Sequence, residues 1–222
     1  NQHVEHIARQ LVKRGHKATV WCADLPEHDE KQFVRDGVEV IRLPPKMVLA
    51  GIDPVVAIKK LNMDFDVVHL HDILPILIRR SLKRAKKLKI PVVTTFHNDY
   101  IKTGILAKSF KAIRWVMQGR RTLNTSDARI ALTPYYANHL KQRGVKDPID
   151  ILPNGFEPVA EDPVRPALLP SDADQHPIMV FVGRLSEQKG LDVLMDAWDK
   201  YCANGSPNAR LAIAGSGELN DW

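Results

Sequence analysis

The chain has 222 residues, of which 44% are hydrophobic and 26% are charged. This is enough apolar material to bury the cores of one or two domains, and the mixture of residue types excludes a disordered chain. No apolar run reaches the roughly 18 residues that a membrane-spanning helix needs. The two cysteines, Cys22 and Cys202, match no metal-binding or redox spacing, so they predict reduced thiols in a cytoplasmic protein.

The net charge of +6 is unevenly distributed along the chain. Residues 1–152 carry 27 lysines and arginines against 15 aspartates and glutamates, a net charge of +12. Residues 153–222 carry 5 basic and 11 acidic residues, a net charge of −6. Such a change of sign indicates two units with different surroundings, and the basic one has the charge to face an anionic surface or a phosphorylated substrate.

Helical and strand patterns alternate through the first unit. Apolar residues at helical spacing predict a helix over 3–14, which Gly15 ends. The predicted strands are 17–22, 38–43, 66–70, 90–95, 128–132 and 149–152. The later predicted helices are 53–61, with Pro54 at its first position, 74–88, one within 106–124, and 134–143. Strands that alternate with helices indicate a parallel sheet covered on both faces, a Rossmann-like α/β fold.

A second unit follows a proline-rich segment. Six prolines and many acidic residues occupy 153–177, a composition typical of a linker. A strand at 178–182, a helix at 191–201 and a strand at 209–214 then predict a second βαβ arrangement. We therefore expect an N-terminal Rossmann-like domain at 1–155, a linker at 156–177 and the start of a second Rossmann-like domain at 178–222.

The strongest chemical signal lies at the end of the strand 178–182. Gly183-Arg184 follows this strand, and Lys189-Gly190 immediately precedes the predicted helix. In a parallel sheet the loop lies at the carboxyl edge, where such folds bind ligands. Gly183 lets a ligand approach the backbone, and the two cations have the charge to neutralise a diphosphate. The same residues are also compatible with an ordinary solvated loop that carries two surface cations.

The stretch from Phe181 to Leu191 resembles the donor-phosphate loop of retaining glycosyltransferases of the GT-B fold, glycosyltransferase family four. In that family a Gly-Arg pair, a short spacer and a Lys-Gly pair form this loop. The resemblance implies that Arg184 and Lys189 contact the diphosphate of a nucleotide-sugar donor and stabilise the leaving group. It places Gly183 and Gly190 in the same donor-diphosphate site.

Further segments resemble the family in the same order along nearly the whole chain. Residues 1–16 resemble the helix after the family's first, glycine-rich loop, and residues 66–71 and 94–97 resemble two strands of its N-terminal domain. Residues 151–155 resemble the segment that enters the interdomain hinge. The resemblance covers the chain closely enough to imply a GT-B-type architecture, with a truncated second domain.

Two glycine-containing turns belong to this resemblance. Asn154 and Gly155 are expected to serve the geometry of the hinge rather than chemistry. Gly215, Ser216 and Gly217 resemble the Gly-x-Gly turn near the donor nucleotide. A plain turn explains that second group equally well.

Two histidines follow predicted strands, and we expect both at the carboxyl edge of the sheet. The resemblance implies that His97 contacts the donor sugar or the acceptor, so His97 is the predicted catalytic residue. The alternative for His97 is a purely structural role, in which the ring is satisfied by hydrogen bonds within the fold. For His71 this structural role is the favoured interpretation.

The resemblance implies a reaction. The expected enzyme moves a hexose from a nucleotide-diphosphate sugar to an acceptor hydroxyl of a lipid or glycan, with retention of anomeric configuration, in cell-envelope glycan or glycolipid biosynthesis. Closure of the interdomain cleft would exclude water. The GT-B fold generally needs no metal held by an Asp-x-Asp motif, so we expect no cofactor and no metal. The alternatives are a nucleotide-sugar epimerase of the same fold and a non-catalytic, membrane-binding remnant.

Two clusters of basic residues in the first unit suggest an anionic partner. One lies on and after helix 74–88, and the other lies on or beside the helix predicted within 106–124. Their members are Arg79, Arg80, Lys83, Arg84, Lys86, Lys87, Lys89, Lys102, Lys108, Lys111, Arg114, Arg120 and Arg121. Such surfaces bind anionic lipid headgroups, or else they are solvated helix faces. No nucleic-acid-binding motif accompanies them, so we expect a cytoplasmic protein, at most peripheral on the inner face of the membrane, and no nucleic acid.

Both ends of the sequence predict a fragment. A helical pattern begins at Asn1 without a preceding methionine, and the chain stops at Trp222 just after the glycine pair. The family carries two glutamates seven residues apart farther into the donor domain, beyond this last residue. We therefore expect the 222-residue chain alone to be inactive.

Overall fold

The computed structural model describes residues 2–49, 53–58, 61–73, 75–97, 114–155, 176–205 and 208–219. The chain forms two compact units, Asn1–Glu157 and Pro158–Trp222. Residues 156–175, which make up most of the predicted linker, lie outside the described part of the chain.

The first unit opens with a helix and a parallel pair of strands. Helix α1 spans Gln2–Lys13, and Gly15, with a φ of 87°, lies in the turn that follows it. This turn matches the predicted helix end, since glycine adopts the left-handed conformation without steric cost. Strands β1, Thr19–Ala23, and β3, Val38–Leu43, pair in parallel. The bounds of β3 are those predicted, and β1 lies slightly later than predicted.

An antiparallel hairpin that the sequence patterns did not predict completes this sheet. Strand β2, Gln32–Arg35, pairs with β3 across the two-residue turn Asp36-Gly37. Both turn residues have positive φ, 51° and 76°, as a type I′ turn requires. The Asp-Gly pair between two short strand-like segments was the available signal for this hairpin.

A second hairpin stands where a helix was predicted. Strands β4, Pro45–Leu49, and β5, Asp53–Val56, pair in antiparallel fashion, so the predicted helix at 53–61 is wrong. Val56 is fully buried, and a β-branched side chain packs well on a pleated strand. Pro54 has no N–H to donate, which is tolerated in an edge strand. Burial of the strand thus outweighs the helix-start signal of the proline.

Four parallel strands form the main sheet of the first unit. They are β6 (Val68–His71), β7 (Val92–Phe96), β8 (Ala128–Ala131) and β9 (Asp150–Ile151), which lie side by side in chain order. Each agrees with a predicted strand to within a few residues. Because all four run parallel, their carboxyl ends meet at one edge, where α/β folds bind ligands.

Helices connect these strands. They are α2 (Ile76–Lys87), α3 (Arg120–Thr125) and α4 (Pro134–Gln142). A π-helical turn at Trp115–Gly119 leads into α3, so the described part of the helix predicted within 106–124 is a π-turn followed by a short α-helix. The earlier part of that prediction lies outside the described residues.

Aromatic packing holds the carboxyl end of β7 in place. Phe96, the last residue of β7, is 1% exposed and meets Trp115 edge-on, with ring centroids 6.4 Å apart. The Arg143 guanidinium lies 3.9 Å from the centroid of the Trp115 ring, a cation–π contact. The residue after Phe96 is His97, so this packing determines where that histidine leaves the sheet.

The second unit is described as one βαβ arrangement. Strands β10, Ile178–Val182, and β11, Arg210–Ala214, pair in parallel, and helix α5, Leu191–Ala203, lies between them in sequence. A single 3₁₀ turn, Glu187–Lys189, precedes α5. The bounds of β10 are those predicted. Both units are mixed α/β with parallel strands, as expected for Rossmann-like domains.

Candidate functional site

The predicted donor-phosphate loop lies at the carboxyl ends of β10 and β11. The two strands end together, with Val182 opposite Ala214. The Gly183 N–H donates to the Ala214 carbonyl at 3.0 Å. The Leu185 N–H donates to the Ser216 carbonyl, also at 3.0 Å. Residues 183–185 and 215–217 therefore form a pair of hydrogen-bonded loops, here called the paired loops.

Two glycines allow the paired loops to come this close. A Cβ atom at Gly215 would lie 1.8 Å from the Gly183 carbonyl oxygen. A Cβ atom at Gly217 would lie 2.1 Å from the Leu185 carbonyl oxygen. Both obstacles are backbone atoms, which cannot turn aside as a side chain can. The predicted Gly-x-Gly turn is thus a packing requirement, and it lies directly beside the loop that carries Arg184.

The basic residues of this loop are exposed. Arg184 follows Gly183, and Lys189 ends the 3₁₀ turn. Both side chains are exposed. Gly190, with a φ of 66°, then takes a left-handed conformation from which α5 begins. The amino end of a helix presents N–H groups and a partial positive charge. Two cations beside a helix amino terminus give this edge the chemistry of an anion site.

A cluster of four histidines, His3, His69, His71 and His97, lies at the carboxyl edge of the main sheet in the first unit. His71 ends β6 and His97 follows β7, and their Nδ1 and Nε2 atoms lie 3.2 Å apart. The ring of His3, in the first turn of α1, is edge-on to both, with centroids 5.5 Å from His71 and 4.9 Å from His97. His69 lies 4.1 Å from His71 between centroids, and its Nε2 is 2.8 Å from the Thr95 hydroxyl.

The backbone after β6 holds His71 in this cluster. Asp72 has a φ of 104°, which residues other than glycine rarely adopt. Its N–H donates to the Thr95 carbonyl at 3.1 Å, and its carboxylate accepts from the Ile73 N–H at 2.5 Å. These bonds hold the loop against β7, so neighbouring strands present His71 and His97 together. Unusual backbone conformations of this kind are concentrated at functional sites.

Burial keeps the histidine cluster uncharged. It is the largest cause of the lowered pKa of His69, about 4, and of His71, about 3, and the neighbouring histidines lower both further. Burial also lowers the pKa of His3 and of His97, although the Asp72 carboxylate acts in the opposite direction on His97. Neutral imidazoles keep both a donor and an acceptor nitrogen at neutral pH.

The first unit is expected to lose stability in mild acid because of these shifts. An unfolded histidine titrates near 6.5, whereas folded His69 and His71 titrate near 4 and 3. Between those values the unfolded chain binds more protons, so the free energy of unfolding falls as the pH falls. We expect a loss of roughly 2 kcal/mol from pH 7 to pH 5, after allowance for solvent around half-buried rings.

Urea unfolding of the chain at several pH values, with EDTA present, measures this effect. His69→Gln retains a polar atom near the position of Nε2 but does not titrate, and the double variant with His71→Asn removes both groups. The double variant should show a flatter pH dependence than the parent chain. His16→Gln, at an exposed position, is the matched control. If the stability of the parent and of the double variant depends equally on pH, protonation of His69 and His71 is not the cause of the pH dependence.

Sequence patterns indicated half of this cluster. His71 and His97 lie at the carboxyl edge where they were predicted, and the catalytic role of His97 stays a prediction. His69 was assigned only to a strand, although its separation of two residues from His71 places both on one face of β6. His3 was missed because nothing in a helical pattern shows which sheet edge its first turn will meet.

The predicted hinge residues lie near the end of the first unit. Asn154 and Gly155 are exposed. A Cβ at Gly155 would lie 3.4 Å from His6 Nε2, so this segment runs beside α1. Their role as a hinge stays a prediction.

Several basic residues of the first unit serve the fold itself. Arg80 donates to the Val56 carbonyl, and Arg84 donates to the Leu61 carbonyl at 2.6 Å. Arg114 forms an ion pair with Asp53 at 2.7 Å, and the other oxygen of Asp53 accepts from the first N–H of α2. These contacts join the β4–β5 hairpin and the segment after it to α2 and to the π-helical turn.

Other basic residues line a groove beside α2 and the following helical segment. They are Arg79, Lys83, Lys86 and Arg121. Met117 also lines the groove and is 68% exposed, and the adjacent Val116 is 52% exposed. Within the described ranges, every helix is too short or too polar to cross a bilayer. Lys102, Lys108 and Lys111 lie outside those ranges.

Comparison with known proteins identifies the family. Residues 1–159 match the family described as Glycosyltransferase Family 4, and residues 170–222 match the one described as Glycosyl transferases group 1. Since the first match covers most of the chain, the chain belongs to Glycosyltransferase Family 4. This confirms the resemblance seen in the sequence.

One curated relative is an uncharacterized glycosyltransferase, MJ1607, of Methanocaldococcus jannaschii. It is 27% identical over 99% of this chain. The chain spans 60% of the length of that relative.

Proposed function

We propose that the whole protein transfers a sugar from a nucleotide-diphosphate sugar to an acceptor hydroxyl, with retention of anomeric configuration. The observation that carries this proposal is the arrangement of two exposed cations between β10 and α5: Arg184 lies in the paired loops, and Lys189 ends the 3₁₀ turn just before α5. This is the charge distribution that a departing diphosphate requires. Membership of a glycosyltransferase family supports the same reaction.

In this proposal Arg184 and Lys189 act on the leaving group. As the bond between the anomeric carbon and the phosphate oxygen breaks, negative charge grows on the diphosphate. Cations placed in advance stabilise that charge most at the transition state, which accelerates the reaction. The acceptor oxygen bonds to the anomeric carbon on the face that the diphosphate leaves, and a phosphate oxygen takes the acceptor proton. Attack on that face accounts for retention.

His97 is the proposed catalytic contact in the first unit. Its lowered pKa keeps the imidazole neutral, so it can donate a hydrogen bond to one hydroxyl or accept one from another. Such a bond orients the donor sugar or the acceptor. His71, 3.2 Å from the His97 ring nitrogen, is a positioning residue in this account.

The proposed reaction uses no metal. The chain contains two Asp-x-Asp triplets, at 64–66 and 172–174. The first lies before the amino end of β6, whereas His71 lies at the carboxyl end of that strand. The second lies outside the described residues. In this proposal Arg184 and Lys189 neutralise the charge of the diphosphate, as a divalent metal does in other glycosyltransferases.

We further propose that the acceptor is a lipid or a glycan and that the protein works peripherally at the cytoplasmic face of a membrane. The groove lined by Arg79, Lys83 and Arg121, with exposed Met117, supports this location, whereas the fourth cation of the groove, Lys86, forms an ion pair with Asp127 at 2.6 Å. Each cation near an anionic surface contributes about 1 kcal/mol to binding. Synthesis of a cell-envelope glycan or glycolipid is the corresponding role.

Acceptor-dependent release of a nucleoside diphosphate tests the proposed reaction. The whole protein is incubated with UDP-, GDP- and ADP-sugars, with and without a lipid or glycan extract, and the released nucleotide is measured by chromatography. We expect release from one donor class that increases when the acceptor extract is added. Proton NMR of the product should show the anomeric configuration of the donor.

Two other results would support different functions. Formation of an epimerised nucleotide sugar without any acceptor would indicate that the protein is an epimerase of the same fold and not a transferase. Binding to anionic vesicles without affinity for any nucleotide would indicate a non-catalytic membrane-binding protein.

A further inference from the structure

Three imidazoles from separate elements converge in the first unit. His3 lies in the first turn of α1, His71 ends β6, and His97 follows β7. One ring nitrogen from each lies within 4.8 Å of those of the other two. We propose that His3, His71 and His97 form a binding site for a divalent transition metal, with Zn²⁺ the ion of best fit.

The distance between two of the nitrogens matches a shared metal ion. Zn²⁺ binds imidazole nitrogen at about 2.0–2.1 Å in tetrahedral geometry, which places two ligand nitrogens about 3.3 Å apart. The observed separation between His71 Nδ1 and His97 Nε2 is 3.2 Å. An ion between these two rings therefore requires almost no movement of the strands that carry them.

The third ligand requires a small adjustment. The nitrogen of His3 lies up to 4.8 Å from its partners, and a shift of about 1.5 Å would bring it to the tetrahedral separation. Three histidines would leave a fourth position on the ion for water or another ligand.

The chemistry of the ligands selects the class of metal. Imidazole favours Zn²⁺ and related transition metals, whereas Mg²⁺ and Ca²⁺ favour carboxylate and carbonyl oxygen. All three rings are half-buried. The Asp72 carboxylate partly opposes the lowering of the His97 pKa by burial, so it supplies a compensating negative charge near the ion. His69 lies beside the site, with its Nε2 directed to the Thr95 hydroxyl.

Metal binding would have a consequence for the reaction, and this part alone rests on the proposed function. An ion bound to His97 occupies one of its two ring nitrogens, and that nitrogen can then no longer form a hydrogen bond with a sugar hydroxyl. We therefore expect Zn²⁺ to inhibit transfer and EDTA to restore it. The three histidines belong to the first unit, whereas Arg184 and Lys189 belong to the second, so the ion is not proposed to bind the diphosphate and the expectation of a metal-independent reaction is unchanged.

Metal titration of the purified chain tests the site directly. Zn²⁺ binding is measured by calorimetry, and Co²⁺ is added as a probe because a four-coordinate Co²⁺ ion absorbs visible light strongly. We expect one equivalent of Zn²⁺ to bind, and a four-coordinate Co²⁺ spectrum that Zn²⁺ abolishes. Loss of even an outer-shell partner typically weakens metal sites tenfold or more, so His97→Gln, His71→Gln and His3→Gln should each weaken binding by about tenfold or more.

Two comparisons make the result decisive. His16→Gln removes an exposed histidine outside the cluster and should leave the Zn²⁺ affinity unchanged. Circular dichroism establishes that each variant is folded, and if His71→Gln does not fold, His97→Gln and His3→Gln decide.

The proposal is overturned if Zn²⁺ affinity is the same in the parent and in His97→Gln, or if Co²⁺ gives only the weak spectrum of a six-coordinate ion. Zn²⁺ binding without inhibition would leave the metal site in place and count against the sugar contact of His97.

Discussion

Replacing Gly217 or Gly215 by alanine is expected to destabilise the second unit severely. The added Cβ would lie 2.1 Å from the Leu185 carbonyl oxygen in one case and 1.8 Å from the Gly183 carbonyl oxygen in the other. The paired loops must separate to accept it, and their hydrogen bonds are then lost. We expect a loss of about 3 kcal/mol or more, at the upper end of the effect of overpacking. Hydrogen exchange of peptides from β10, α5 and β11, measured by mass spectrometry, should rise accordingly.

Gly183→Ala is the matched control for this prediction. A Cβ at Gly183 would meet only the Phe181 ring at 3.5 Å, an ordinary contact, so stability should change by about 0.5 kcal/mol at most. Peptides of the first unit serve as an internal reference in every variant. Unchanged exchange in Gly215→Ala and Gly217→Ala would mean that the paired loops do not pack as described. If Gly183→Ala folds but binds nucleotide poorly, the glycine serves the ligand rather than the fold.

Arg184→Ala should lower kcat/KM of the whole protein by about 10²-fold or more. Removing one preorganised group that stabilises transition-state charge typically has an effect of this size. Lys189→Ala should act in the same direction, because both cations are proposed to contact the same diphosphate. The effect should appear mainly in kcat, since the charge grows as the bond breaks. Steady-state rates with the best donor from the nucleotide screen measure it.

A surface lysine of the same unit provides the comparison. Lys200 is exposed near the end of α5, at the opposite end of the helix from the paired loops. Lys200→Ala should leave the rate within about twofold of the parent, as expected for an exposed residue outside the site. A similar rate in the parent and in Arg184→Ala would remove that residue from the mechanism.

Strands and helices were predicted well where local patterns and tertiary packing agree. The strands Val38–Leu43 and Ile178–Val182 have the bounds that alternation and apolar runs predicted. The segment Asp53–Val56 shows the opposite case. An aspartate followed by a proline is a helix-start signal, but here the Asp53 carboxylate accepts from Ile76 and pairs with Arg114. Those partners are distant in sequence, so no local pattern could reveal them.

The same distinction applies to the candidate sites. Arg184 and Lys189 lie in one continuous motif, and the motif alone indicated the loop. The contact between that loop and the Gly215–Gly217 turn depends on the pairing of β10 with β11, which βαβ topology makes predictable. The histidine cluster is different, because it needs the first turn of α1 to meet two strand ends. His3 therefore appears as a site residue only in three dimensions.

Transfer of a labelled sugar is the most direct test of the central claim. The whole protein is given a nucleotide-diphosphate sugar with ¹³C in the sugar alone, together with the acceptor extract, and both fractions are followed by mass spectrometry. The account predicts labelled acceptor and unlabelled nucleoside diphosphate in equal amounts, and a loss of both in Arg184→Ala. Label that stays in the nucleotide-sugar fraction, whether unchanged or epimerised, would contradict it.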